Sequence, residues 1–70
     1  MKYLERLKKL REDSEKVQKE VAQYLGITQQ QYSLYETGAR KIPIEQVIAL
    51  AHYYHVTTDY ILGLTDKKTP

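Results

Sequence analysis

The stretch from Gln29 to Thr37 carries uncharged polar side chains at helical spacing. At about 100° per residue, one side of a helix over this stretch holds Gln30, Ser33, Leu34 and Thr37. A solvated helix face more often carries Lys and Glu. A glutamine amide can bond N6 and N7 of adenine, and a leucine tip can touch a thymine methyl group. The face is therefore typical of a helix that reads base edges, and the competing interpretation is a row of ordinary surface amides.

Turn residues on both sides predict where this helix begins and ends. Gly26 adopts positive φ at little cost, so it suits the end of a preceding helix, and Gly38 can end this one in the same way. Thr28 can cap the helix by accepting a hydrogen bond from a backbone N–H two or three residues further on. The side opposite the polar face carries Tyr32 and Tyr35, and it is predicted to face the core.

Basic side chains flank this stretch on both sides. They are Lys16, Lys19, Arg40 and Lys41, and only Glu20 and Glu36 oppose them within the flanked segment. The formal net charge of +2 is by itself a weak indication of an anionic partner. The position of the charge is therefore more informative than its sum.

A chain of 70 residues forms one small domain with a modest core. It has no cysteine, which excludes disulfides and thiolate metal sites. No apolar run is long enough to cross a membrane, and the N-terminus lacks a signal-peptide core. These features predict a soluble cytoplasmic protein.

Apolar spacing predicts four further helices around the central one. They cover about residues 1–13, residues 17 or 18 to 25, residues 43 to about 54 with Pro43 in first position, and a short helix to about 62 capped by Thr57. We therefore predict an all-α fold, a compact five-helix domain over residues 1–65. Helices two and three form a helix-turn-helix unit, and residues 66–70 form a polar C-terminal tail.

Taken in register, these residues resemble the lambda-repressor/Cro-like helix-turn-helix domain, or XRE family, from about Leu4 to Gly63. The matching residues are Gln18, Val21-Ala22, Leu25-Gly26-Ile27-Thr28-Gln29, Ser33, Tyr35-Glu36, Gly38, Arg40, Pro43, Leu50-Ala51, Val56, Asp59 and Leu62-Gly63. The resemblance implies a sequence-specific double-stranded DNA-binding domain that regulates transcription, with repression as the expected effect. It implies no cofactor and no bound metal.

The resemblance also implies roles for individual residues. The residues expected to contact base edges in the major groove are Gln29, Gln30, Ser33 and Leu34. The residues expected to bind backbone phosphates are Gln18, Lys19, Thr37, Arg40 and Lys41. A structural ion pair that orients helix three is expected between Arg11 and Glu36.

Two positions depart from the family pattern. Lys16-Val17 stands where the family commonly has Leu-Thr or Leu-Ser, so helix two lacks its usual hydroxyl cap, for which Ser14 or Asp13 are candidates. Leu34 occupies a position that is often polar or basic in the family. A leucine there indicates either an apolar contact with thymine or a position that contacts the DNA less.

A domain this small reads a short site, so useful specificity favours a homodimer on a palindromic operator with half-sites about one turn apart. Helix five, with Tyr60, Ile61 and Leu64, is the predicted dimer contact. The expected setting is the cytoplasm of a prokaryote, with a chromosomal or phage-encoded gene.

Two other functions remain open from the sequence. The same fold can serve as a protein-interaction module, whose mainly apolar contact would depend little on salt, whereas DNA binding weakens steeply as salt rises. A metal-responsive regulator would bind its metal through His52 and His55. Two histidine ligands without a nearby carboxylate or cysteine are weak evidence for a metal site. The chain has no nucleophile triad, paired-carboxylate motif or phosphate loop, so we expect no enzymatic activity.

Overall fold

The computed structural model describes residues 2–70, and these contain five helices and no strand. The helices are α1 (Lys2–Asp13), α2 (Gln18–Leu25), α3 (Gln29–Thr37), α4 (Ile44–Tyr54) and α5 (Thr58–Leu62). The predicted all-α architecture is confirmed, while the predicted start of helix one at residue 1 lies outside the described residues. Pro43 has an extended conformation (ψ 149°) and is the N-cap of α4. The fourth helix therefore begins one residue later than predicted.

Left-handed glycines separate α3 from its neighbours. Gly26 has φ 73° after α2, and Gly38 has φ 85° after α3. A β-carbon on Gly26 would meet no atom within 4 Å, whereas one on Gly38 would lie 2.8 Å from Leu4 Cδ1 on α1. The turn before α3 thus requires glycine for its φ angle alone, and the turn after α3 requires it also for close packing.

The core lies between α1, α2, α4, α5 and the inner face of α3. Its buried side chains are Leu7, Leu10, Val21, Ala22, Tyr32, Tyr35, Val47, Leu50, Ala51 and Ile61. Tyr32 is fully buried and Tyr35 is 9% exposed. The tyrosine side of α3 is the core face, as the helical spacing predicted, and its polar side is left to solvent.

The start of α2 uses a cap that the sequence interpretation missed. The N-cap residue is Val17, whose side chain has no polar atom. Its backbone N–H donates instead to a carboxylate oxygen of Glu20, at 3.2 Å. An acidic residue three positions inside the helix therefore stabilises the helix start, in place of the proposed Ser14 or Asp13.

The segment after α5 folds back onto the domain. The Arg6 guanidinium on α1 donates to the Thr65 carbonyl oxygen at 2.5 Å and to Asp66 Oδ1 at 2.5 Å. The backbone N–H of Thr57 donates to the carbonyl oxygen of Lys68 at 2.9 Å. Two residues of the predicted polar tail thus contact the domain, and the boundary after residue 65 stays a prediction.

Helix α5 does not present the apolar surface that the sequence indicated. Ile61 is fully buried in the core. Tyr60 is half-buried, with the Arg6 guanidinium carbon 4.1 Å from its ring centroid. Of the three residues proposed as a dimer contact, Leu64 alone is largely exposed, at 74%. The prediction that Ile61 contacts a second copy is wrong because the core encloses its side chain completely. The rest of the predicted dimer contact stays a prediction.

Candidate nucleic-acid interface

The four residues expected to contact bases lie in the first turn of α3 and one turn further on. Gln29 and Gln30 are exposed at the first turn of the helix. One turn further on, Ser33 is half-buried and Leu34 is 38% exposed. This face therefore offers two amide groups, a hydroxyl and an apolar tip, with no charged side chain among them, and these groups match base edges in a major groove.

Gln31, the third glutamine in a row, stabilises the start of α3. Thr28 Oγ1 accepts a hydrogen bond from the backbone N–H of Gln31 at 3.1 Å, and Gln31 Oε1 accepts one from the backbone N–H of Thr28 at 3.0 Å. This reciprocal pair is a capping box, which holds the first turn of α3 in place. The Thr-x-x-Gln spacing carries this signal in the sequence, and the sequence interpretation recognised only its Thr28 half.

A buried polar cluster lies beneath the other end of α3 and joins three helices. Arg11 Nε donates to Glu36 Oε2 at 2.8 Å, and a terminal guanidinium nitrogen donates to Oε1 at 2.9 Å. Gln18 Nε2 donates to the same Oε1 at 3.3 Å. The exposed fractions of the two charged side chains are 14% for Arg11 and 4% for Glu36. The two-pronged contact fixes the rotation of α3 relative to α1 and α2.

This cluster sets the protonation state of the carboxyl group. Burial by itself would raise the pKa of Glu36, but the donors on Arg11 and Gln18 outweigh burial and hold that pKa below its usual value of 4.5. The Glu36 side chain also raises the pKa of Arg11 by accepting its hydrogen bond. The pair is therefore fully ionised near neutral pH.

Two tyrosine hydroxyls extend the cluster towards α4. Those of Tyr32 and Tyr54 are buried and have no hydrogen bond of standard geometry within the described chain. Burial, and then the nearby Glu36 carboxylate, raise the pKa of Tyr32. Burial, and then Tyr53, raise the pKa of Tyr54. Both rings remain neutral packing groups.

Exposed basic side chains precede and follow α3 in the chain. Lys19 on α2 and Arg40 and Lys41 in the loop after α3 are all exposed. The backbone N–H of Arg40 donates to the carbonyl oxygen of Leu34 at 3.1 Å, which holds the loop against the end of α3. These cations can meet phosphate groups beside a groove occupied by α3.

The remaining two phosphate candidates already have partners inside the protein. Thr37 Oγ1 donates to the carbonyl oxygen of Leu34 at 3.3 Å and accepts from the backbone N–H of Ala39 at 3.4 Å. Half-buried Gln18 donates one amide hydrogen to Glu36, as described above, and it opens α2. A second amide hydrogen of Gln18 and the free N–H groups of the first turn can still donate to an anion.

Other kinds of site find little support in residues 2–70. No three His, Cys, Asp or Glu side chains of this range lie together in a way that could hold a metal ion. His55 ends α4 in the left-handed conformation, with φ 57°. None of the five helices has the length and apolar character needed to span a membrane.

Comparison with known proteins places this geometry in a family context. A family model described as helix-turn-helix matches residues 7–61. The uncharacterized HTH-type transcriptional regulator YobD of Bacillus subtilis (strain 168) is 38% identical over 68 residues, which are 97% of this chain and 61% of that protein. No solved structure matches the chain significantly.

Two further relatives come from the same organism. The uncharacterized HTH-type transcriptional regulator YqaE is 35% identical over 94% of this chain and 58% of its own length. A SPbeta prophage-derived HTH-type transcriptional regulator, YonR, is 38% identical over 83% of this chain and 54% of its own length. The chain thus spans less than two thirds of the length of these curated relatives.

Proposed function

The chain belongs to the helix-turn-helix family, and we propose that it is a DNA-binding transcriptional regulator that recognises a specific duplex sequence and represses transcription. The observation that carries the proposal is the outer face of α3, where exposed Gln29 and Gln30 stand at a capped helix start without a charged neighbour on that face. Its relatives are named HTH-type transcriptional regulators, which supports the same function.

In the proposed complex α3 lies in the major groove with its N-terminal turn towards the bases. Gln29 and Gln30 bond base edges, for which adenine N6 and N7 are the best geometric match. Ser33 and Leu34, one turn later, contact the neighbouring base pairs, and Leu34 meets a thymine methyl group. The capping box formed by Thr28 keeps the first turn rigid, so the two amides do not have to be ordered on binding.

Phosphate contacts set the register of α3 on the duplex. Their proposed donors are Gln18, Lys19, Thr37, Arg40 and Lys41. Glu36 occupies one amide hydrogen of Gln18, which leaves the other for a phosphate oxygen in the proposed complex. This arrangement couples the position of α2 on the DNA backbone to the orientation of the reading helix.

Repression follows if the bound protein covers a promoter. We propose that two copies bind a palindromic operator, with half-sites about one helical turn apart. The proposed setting is a bacterial cytoplasm, since the relatives named above come from Bacillus subtilis and one is prophage-derived. The proposal gives the chain no catalytic role.

Selection from a pool of random-sequence duplexes at moderate salt tests this function. The expected result is enrichment of a palindrome whose affinity falls steeply with salt, roughly in proportion to the phosphates contacted. Enrichment of no sequence would refute the proposed use of α3. Tight binding to a protein partner with little salt dependence would instead support the protein-interaction module.

A further inference from the structure

Two acidic residues, Glu20 and Glu36, lie between the basic groups that flank α3 in the sequence. The side chain of Glu36 is 4% exposed and is paired with Arg11, so its charge is neutralised inside the protein. The side chain of Glu20 is 49% exposed. It lies in the first turn of α2 together with Gln18 and Lys19, two of the proposed phosphate ligands. Glu20 is therefore the acidic group that a DNA backbone would meet at this helix.

We propose that the Glu20 carboxylate limits the affinity of the domain for DNA, because it occupies the end of α2 at which a backbone phosphate binds. The inference rests on the proposed function and adds to it a residue that opposes the binding of any duplex. It is carried by the position of the carboxylate and by a second helix cap in the same chain that works without a charge.

The capping bond places the carboxylate at the N-terminal end of α2. Glu20 Oε1 accepts a hydrogen bond from the backbone N–H of Val17 at 3.2 Å, so the side chain turns back over the start of the helix. The backbone N–H groups of Gln18 and Lys19 lie in this turn and have no carbonyl partner within the helix. The ammonium nitrogen of Lys16 is 3.8 Å from Glu20 Oε2. A phosphate bound here meets a second anion within one helical turn, or about 5 Å.

The start of α3 shows that the cap itself does not require a charge. Gln31 Oε1 accepts from the backbone N–H of Thr28 at 3.0 Å, against 3.2 Å for the bond between Glu20 and Val17. Both capping side chains belong to the third residue of their helix. An amide oxygen is thus a sufficient acceptor for this bond. The helix proposed to enter the groove has a neutral cap, whereas the helix proposed to meet the DNA backbone has a charged one.

The charge acts on every duplex in the same way. Phosphate contacts carry no sequence information, so repulsion between Glu20 and a phosphate lowers the affinity for an operator and for unrelated DNA by the same factor. For one charge at an exposed helix end, that factor is about 2- to 10-fold at low salt. Glu20 therefore sets how tightly the domain holds DNA, while α3 sets which sequence it prefers.

Glu20→Gln tests the inference, because the amide keeps an acceptor for the capping bond and removes the charge. Dissociation constants are measured by fluorescence anisotropy for a duplex obtained by selection and for an unrelated duplex of the same length. At about 50 mM salt the variant is expected to bind both duplexes about 2- to 10-fold more tightly than the unmodified protein. At about 200 mM salt the gain is expected to shrink, because salt screens the repulsion.

Glu5→Gln is the matched control, since it makes the same change of net charge. Glu5 is exposed in the first turn of α1. It precedes Arg11, through which α1 contacts α3, by about 9 Å along the helix axis. This variant is expected to change the affinity by less than about twofold, because the separation is close to a Debye length. A gain as large as that of Glu20→Gln would assign the effect to net charge and overturn the inference.

Three further results would overturn the inference while the proposed function stands. The first is an equal affinity of Glu20→Gln and the unmodified protein for both duplexes. The second is a gain confined to the selected duplex, since Glu20 would then act on base reading. The third is an unfolded Glu20→Gln in circular dichroism, which would show that α2 requires the charge. The variant is expected to be folded at the temperature of the binding assay.

Failure of the proposed function gives a different pattern. If selection enriches no sequence while unrelated duplexes are bound, sequence-specific recognition fails, and the two variants still decide the inference on unrelated DNA. If the unmodified protein and Glu20→Gln bind no duplex at about 50 mM salt, the proposed function and the inference both fail.

Discussion

Replacement of Arg11 by alanine is expected to destabilise the domain more than any substitution at its surface. The change removes both guanidinium bonds to Glu36, at 2.8 and 2.9 Å. Gln18, at 3.3 Å, then remains as the donor to a carboxylate that is 4% exposed. A buried charge is left without its countercharge, and water cannot reach it without opening the packing between α1 and α3.

The expected loss follows from this geometry. Each hydrogen bond to a charged group contributes about 1.5–3 kcal/mol, so two lost bonds correspond to about 3–6 kcal/mol. Removal of one partner of a buried ion pair costs about 3–5 kcal/mol, which agrees. Because a core of this size rarely supplies more than about 3–5 kcal/mol in total, Arg11→Ala is expected to be largely unfolded at 25 °C.

Circular dichroism without denaturant measures the folded fraction of Arg11→Ala, and urea unfolding measures the free energy of unfolding of the unmodified protein and the control. The matched control is Lys9→Ala, which removes an exposed pair with Asp13 on the same helix, with an N···O distance of 3.8 Å. Exposed helical pairs contribute about 0.3–0.5 kcal/mol, so the control is expected to unfold close to the unmodified protein. A loss below about 1 kcal/mol for Arg11→Ala, as for an exposed pair, would refute the argument that burial makes this pair strong.

The same pair predicts how stability depends on pH. The pKa of Glu36 is lower in the folded protein than its ordinary value of 4.5, so the unfolded chain takes up the proton first. The contribution of Glu36 is therefore complete above about pH 4.5 and is lost as the pH falls towards the folded pKa. Between pH 6 and pH 3, the midpoint of urea unfolding should change less in Glu36→Gln than in the unmodified protein. An equal change in the two proteins would contradict the assignment of this pH dependence to Glu36.

The remaining predictions concern the reading helix and the turns around it. Gln30→Ala should relax preference at one base position by about 1–3 kcal/mol, whereas Arg40→Ala should weaken all sequences alike and reduce the salt slope by about one. Equal behaviour of the two variants in competition binding would contradict the division into reading and positioning contacts. Gly38→Ala should destabilise the domain more than Gly26→Ala, since only the former places a β-carbon near Leu4, at 2.8 Å. Thermal unfolding of the two variants measures the difference, and equal losses would show that positive φ is the sole constraint.

Much of the fold could be predicted because its signals are local. Thr28 and Gly38 define the two ends of α3, and Gly26 ends α2, through capping and backbone conformation, which depend on a few neighbouring residues. The spacing of Tyr32 and Tyr35 identified the core face of the same helix. Errors at the ends of other helices were small, as at Pro43, because a proline can precede a helix or open it with similar ease.

Long-range contacts could not be read from the sequence in the same way. Arg6 belongs to a basic helix face in the sequence, yet its guanidinium binds residues 65 and 66. The burial of the Tyr32 and Tyr54 hydroxyls likewise depends on how the helices pack together. Such partners lie tens of residues apart, so no local spacing identifies them. The pairing of Arg11 with Glu36 came only from the family resemblance.

The sequence by itself determined the helices, the polar face of α3 and the family, because periodicity, caps and turn residues act over one or two helical turns. The tertiary structure alone decided which exposed groups remain available. It bound Arg6 to the segment after α5, enclosed Ile61 in the core and left Ile44 and Ile48 in solvent. The physical reason is that burial depends on the packing of all five helices together, whereas helix formation is largely a local property of the chain.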